Sequence, residues 1–401
     1  MSQVLVNETS LTAIADAIRE KNGATDTYKP SEMAAAIGAI PTGGGGAEGI
    51  PESIVFSGDC SGIFQNGTWD WAVEAYGDRM STSDITNTSN MFAYSNLENI
   101  PFDINLDETC TSVNNTFFHC GYLKSLPALV ATTKIPLPTT AYKGLNFNNI
   151  FAWCHSLREV PEDYFNCLVE NVDEYMAAKK AVGSKQYTTA IFSRCYSLRK
   201  HPDLRMLMNG GGETQYYRSM YYDLFANCHS LDEIHLPVEP IEYTTGTIFS
   251  GLCSYCQRLK SLTFAMNSDG SAQTANWSNQ SLSISTFVGY TGVGWESHIL
   301  DYNSGITADK KVVKEEEYQA LKNDPDWFTS ERAYSRYNHD SAVETINSLP
   351  DTSAFLAANG GTNTIKFEGA AGELTDGGAI NTLTEEEIAV ATAKGWTVTL
   401  V

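Results

Sequence analysis

Apolar residues recur along this chain in two rhythms, and the change from one to the other falls near residue 50. Between residues 10 and 40 the spacing is helical. Leu11, Ile14, Ala15 and Ile18 share one face, with Ser10 placed as a cap and Lys21-Asn22-Gly23 as the exit. A second segment opens at Pro30-Ser31-Glu32 and carries Met33, Ala36, Ile37 and Ile40 on one face. Each segment predicts a helix of about three turns, too short to be stable alone in water. Residues 1–42 are thus expected to form a helical hairpin whose apolar faces need a partner surface or further copies of the chain. Residues 43–52 begin with Gly43-Gly44-Gly45-Gly46, which lacks the Gly-Lys-Ser/Thr ending of a phosphate loop and reads as a flexible joint.

From residue 53 a different pattern repeats: Phe, then Cys, then Leu three residues after the Cys, then a further apolar residue. Phe151 to Pro161, with Cys154, Leu157 and Val160, is the clearest copy. Phe118-His119-Cys120 with Leu123, Phe192 with Cys195 and Leu198, and Phe225 with Cys228 and Leu231 are others. Phe249 through Cys256 with Leu259 gives a fifth, and in an earlier copy, Phe92 to Pro101, Tyr94 stands in the Cys place. The marker leucines 97, 123, 157, 198, 231 and 259 are separated by 26, 34, 41, 33 and 28 residues. Such a range suits stacked units with loops of unequal length. Each unit is expected to start as a short helical turn and run into an extended segment that pairs with its neighbours. The expected fold class is therefore an α/β repeat: the helical hairpin, then an irregular solenoid over residues 53–300, then degenerate repeats and a cap over 301–401. In that last part Lys314–Lys322 and the segment around Val343, Ile346 and Leu349 read as helices. Thr364–Phe367 reads as a strand, Glu385-Glu386-Glu387 as a helix start and Trp396–Val401 as a final strand.

The repeat accounts for much of the reactive chemistry. Five of the nine cysteines, Cys120, Cys154, Cys195, Cys228 and Cys256, hold one place in successive units, where a small, weakly polar side chain fits a crowded interior. The remaining candidates are thin. Cys253-Ser254-Tyr255-Cys256 is a lone C-x-x-C without the second pair that a zinc site needs. His155 and His229 follow the column Cys, but Tyr196 and Gln257 take that place elsewhere, so no ligand set is sustained. No Gly-x-Ser-x-Gly elbow occurs, and the triplets Glu315–Glu317 and Glu385–Glu387 sit at expected helix starts. Trp69-Asp70-Trp71 with Tyr76 reads as a cap on an open end of the stack, with sugar stacking as the alternative. No catalytic, cofactor-binding or metal-binding residues are assigned, and no cofactor is expected.

A net charge of −22 with a pI near 4.6 gives no basic footprint for nucleic acid and disfavours anionic lipid. No apolar run is long enough to cross a membrane. Met1 to Glu8 contains neither a basic region nor an apolar core, so no export signal is expected and the thiols are expected to be reduced.

Two stretches resemble known families. The Phe…Cys-x-Ser-Leu…Pro units resemble the BspA-like leucine-rich repeats of bacterial surface antigens, which implies a leucine-rich-repeat solenoid. Thr12-Ala13-Ile14-Ala15-Asp16-Ala17-Ile18-Arg19-Glu20-Lys21 followed by Tyr28-Lys29-Pro30-Ser31-Glu32-Met33-Ala34-Ala35-Ala36-Ile37 is similar to a module near the start of many tail, baseplate and fibre proteins of tailed bacteriophages. Phe56-Ser57-Gly58-Asp59-Cys60 and Ser335-Arg336-Tyr337-Asn338-His339 also look like segments of gut-phage repeat proteins. These resemblances imply a non-enzymatic virion component that assembles in the host cytoplasm. It would attach to other virion proteins through residues 1–42, form a homo-oligomer with a trimer favoured, and present its repeats to a host-surface receptor. The alternative is a bacterial leucine-rich-repeat adhesin, which the missing export signal disfavours.

Overall fold

The computed structural model of the chain describes residues 3–5, 53–140, 145–183, 188–208, 219–239, 241–244, 248–256, 258–285, 337–368 and 382–401. One turn recurs along most of it. In each copy two residues four apart adopt left-handed backbone angles, as with Asn90 (φ 57°) and Tyr94 (61°), or Asn149 (51°) and Trp153 (68°). The other pairs are Gly62 and Asn66, Asn115 and His119, Ala190 and Arg194, Asp223 and Asn227, and Gly251 and Tyr255. The first place of the pair is Asn, Asp or Gly in every copy but the one at Ala190, and these are the types that tolerate this region at least cost.

With the chain turned in this way, alternate N–H groups point along one axis. Asn90, Phe92 and Tyr94 donate to the carbonyls of Asn114, Thr116 and Phe118 at 3.0, 2.9 and 2.8 Å. Asn149, Phe151 and Trp153 donate to Thr189, Ile191 and Ser193 at 3.1, 3.1 and 2.8 Å. The same triplet joins each successive pair of turns from Gly62 to Ser254. Inside the stack the rings of Phe64, Phe92, Phe117, Phe151, Phe192 and Phe225 lie face to face, with centroids 5.1, 5.7, 5.6, 5.5 and 5.3 Å apart. Contacts of this kind add about 0.5–1.5 kcal/mol each beyond the area they bury. The repeated thiols close the arrangement. Cys120, Cys154, Cys195, Cys228 and Cys256 each donate Sγ–H to the carbonyl of the column Phe one turn back, at 3.0–3.1 Å.

Three sequence registers need correction. The column ring of the second copy is Phe117, not Phe118. Ser95, not Tyr94, holds the Cys place of the first, because Tyr94 is the left-handed residue before it. In the last turn Cys253 takes the ring position, since Phe225 donates to Leu252, its chain neighbour.

The expected fold class is also corrected. An α/β leucine-rich-repeat solenoid requires a helix and a strand in each unit, laid into continuous layers. Among the described residues there are five short α-helices: α1 (Asp70–Tyr76), α2 (Val172–Ala181), α3 (His339–Ser348), α4 (Ser353–Asn359) and α5 (Glu385–Ala393). The ten strands are β1 (Gln3–Leu5), β2 (Ser53–Asp59), β3 (Met80–Asn87), β4 (Ile104–Asn105), β5 (Leu129–Val130), β6 (Glu233–Leu236), β7 (Ser261–Phe264), β8 (Ser281–Ser285), β9 (Asn363–Glu368) and β10 (Trp396–Leu400). They form four separate parallel sheets of two or three strands, ordered β1-β2-β3, β4-β5, β6-β7 and β10-β9-β8. The turn around the Phe and Cys, expected to be helical, has left-handed residues two before and two after the column position, which a right-handed helix cannot accommodate. The segments after the marker leucines are too short and unequal to pair throughout.

The predicted helices of residues 10–40, the 43–52 joint and Lys314–Lys322 lie outside the described residues. Within 1–42, β1 pairs in parallel with β2, Gln3 opposite Ser53, a backbone connection the sequence did not suggest. At the far end α3, α5, β9 and β10 form where sequence placed them. Asn338 and Thr384 cap α3 and α5 through capping boxes with Ser341 and Glu387. Trp277 is fully buried against Tyr221 and Phe249 at 5.8 and 5.7 Å, and its carbonyl accepts from the Asn363 side chain of β9 at 2.9 Å, which ties this end block to the stack. Trp396 donates its indole N–H to the Pro350 carbonyl at 2.9 Å.

The ring column generates an expected outcome. Phe151→Ala should lower unfolding free energy by about 3–5 kcal/mol and Leu157→Ala by about 2–5 kcal/mol, measured by denaturant titration. Cys120, Cys154, Cys195 and Cys228 should react with a thiol reagent far more slowly than half-buried Cys253 in the native protein. Equal native rates for all five would contradict the column.

Candidate binding cleft

The row of N–H donors runs in one direction, so it must end at the last turn. There Gly251 and Cys253 occupy the places of Asp223 and Phe225, and their N–H groups have no backbone partner among the described residues. Both residues line a cleft of about 290 Å³, bounded by the last turn, β8 and Tyr337. Gly251 has φ 70°, and a Cβ there would collide with the Asp223 carboxyl, so glycine brings the backbone bare to this edge.

The walls are of two kinds. Phe249, Leu252, Leu259 and Ile284 make the apolar part. Ser250, Ser254, Ser281 and Ser283 supply hydroxyls, and Tyr337 closes the side with its own hydroxyl held by Thr345. Among the described residues that line it none is charged. Burial pushes the Cys253 thiol up to about 12 and raises Cys256 well above its ordinary value, so neither supplies a thiolate at neutral pH. The cleft can accept hydrogen-bond acceptors and apolar groups, and among the described residues that line it there is no carboxylate or imidazole.

Of the residues singled out from sequence, Cys253 and Cys256 both line the cleft, and Cys256 also donates to the Phe225 carbonyl. The others lie elsewhere. His155 and His229 stack on opposite sides of Tyr196, at 4.6 and 5.1 Å, rather than facing the thiols as ligands. Among the described residues no group of three or more His, Cys, Asp or Glu side chains is placed to hold a metal ion. Trp69 is buried and packs edge-on against Phe64 at 5.3 Å, so its ring is not offered to a sugar. Glu387 serves the α5 cap and approaches His339 at 3.2 Å, whereas Glu315–Glu317 lie outside the described residues.

Two features escaped sequence reading. The residues before the column position build a second ladder on the flank: Tyr94 on His119 at 4.7 Å, His119 on Trp153 at 4.4 Å, and the Arg194 guanidinium over Trp153 at 3.7 Å. Both faces of Trp153 are thereby covered. Lys179 is fully buried in α2, donates to the Met208 carbonyl at 2.8 Å and is brought down to about 8 by burial. A helical pattern with a lysine gives no sign of either.

Comparison with protein-family models, with curated proteins and with solved structures finds no match to this chain.

The buried imidazoles give a pH dependence. Burial lowers His119 to about 3 and His201 and His229 to about 4, below the ordinary 6.5. The unfolded chain therefore binds more protons than the folded one from pH 6.5 downward, and stability falls as pH falls through that range. The urea midpoint should drop from pH 7.5 to pH 5, where ordinary carboxylates are still ionised. His119→Phe, which keeps the ring stack, should shrink that drop; a midpoint independent of pH over this range would exclude the assignment.

Proposed function

We propose that the chain is a non-enzymatic structural component of a tailed-bacteriophage particle, a fibre, baseplate or decoration protein that displays its stack of turns to the host surface. The observation that supports this most is the use made of the reactive side chains in the repeat. The column thiols donate to carbonyls of the neighbouring turn, and the imidazoles lie between aromatic rings. Chemistry-bearing residue types serve there as spacers and donors in a rigid support. In this reading residues 1–42 attach the chain to other virion proteins and associate as a homotrimer, and assembly takes place in the host cytoplasm. The N-terminal resemblance to phage tail, baseplate and fibre modules supports that attachment role. So does the apolar face of Met33, Ile37 and Ile40 beside Ala34, Ala35 and Ala36, where small residues permit close helix approach.

Light scattering of the intact protein should give a trimer, and Ile37→Asp with Ile40→Asp should give a monomer with an unchanged melting midpoint. Mass spectrometry of purified particles should find the intact chain and not the double variant. A monomeric intact protein, or normal incorporation of the variant, would overturn the attachment role.

A further inference from the structure

The six junctions between turns show what the donor row is built to meet. Each row of alternating N–H groups receives alternating main-chain carbonyls at 2.7–3.1 Å. At the last turn the same two donors, Gly251 N–H and Cys253 N–H, border the cleft instead. Their complement is a pair of uncharged oxygen acceptors, one for each donor. An anion is a poor fit. Among the described residues none that lines the cleft carries a positive charge, the Asp223 carboxyl packs against Gly251, and the whole chain carries −22. A metal cation is excluded from the donor edge by the sign of the N–H dipoles.

The remaining walls narrow the ligand further. A volume near 290 Å³ is at the small end of ligand sites and suits one compact group rather than a folded segment. Four serines line it, a match for the several hydroxyls of a sugar ring, while Phe249 and Ile284 offer apolar surface for a methyl group. We infer that the cleft binds an acetamido sugar. Its amide carbonyl accepts from the Cys253 N–H, a ring hydroxyl oxygen accepts from the Gly251 N–H, its methyl group lies on the apolar wall, and its other hydroxyls face the serines. This inference rests on the cleft alone and holds whether or not the protein belongs to a phage particle.

The test uses the intact protein with four probes: N-acetylglucosamine, glucosamine, glucose, and N-acetylalanine N-methylamide. Backbone amide NMR should show the Gly251 and Cys253 resonances moving on addition of N-acetylglucosamine, with millimolar affinity, and not on addition of glucose or glucosamine. Ser283→Tyr, an exposed strand position at the cleft, should weaken binding at least about tenfold at unchanged melting temperature. Ser254→Tyr provides a second blocked form. Equal responses to glucose and N-acetylglucosamine, or shifts confined to other residues, would overturn the inference. Binding of the peptide amide alone would show an amide site for peptide and would equally overturn the sugar.

Discussion

The three main-chain hydrogen bonds at each junction depend on a local constraint: two left-handed residues four apart. They turn the chain so that alternate N–H groups lie along the stack instead of inside a helix. The carbonyl of the column Phe is then left facing its successor's thiol, and the rings stack nearly parallel, as in Phe117 on Phe151 with centroids 5.6 Å apart. Ring stacking, thiol donation and the flanking ladder of Tyr94, His119 and Trp153 all follow from that turn. None would align if the Asn115 and His119 pair, or its equivalents, adopted helical angles.

Cysteine suits the column for a physical reason. It is small enough for the space between successive rings, and its S–H is a weak donor whose loss in an apolar setting costs little. Burial drives Cys120 up to about 12 and Cys154 well above the ordinary range, so the proton needed for the bond stays in place at any physiological pH. The nine thiols are free, and the column members are buried among rings and carbonyls.

The period of the stack was legible because its markers are bulky and buried: Phe151, Cys154 and Leu157 are wholly inside. The fold class drawn from that period was not. Apolar spacing fixes which side chains face inward but leaves open whether the chain reaches them by helix or by tight turn. The asparagines that decide it, Asn90, Asn115 and Asn149, look like ordinary polar surface. Register slipped where adjacent rings compete, as with Phe117 and Phe118, or where one residue is missing before the leucine, as at Ser95. The cleft was invisible because its donors are backbone groups of Gly251 and Cys253, which no motif records. The C-terminal helix and strand were legible from local signals, since Thr384 with Glu387 and Gly395 mark the ends of α5 unaided.

The substitution of serine for cysteine at position 95 has a mechanical consequence. Tension applied along the stack loads the junctions in series, so they bear equal force and the weakest yields first. Five junctions carry a thiol bond in addition to their main-chain bonds. The junction between the turns of Phe64 and Phe92 has no corresponding bond from Ser95 to the Phe64 carbonyl among the described residues, since the Ser95 hydroxyl accepts from Leu97 instead. Pulled from its ends, the molecule would load that first seam through the β2–β3 ladder, which pairs Ile54 to Asp59 with Met80 to Asn87, and the later seams through their turn bonds and thiols.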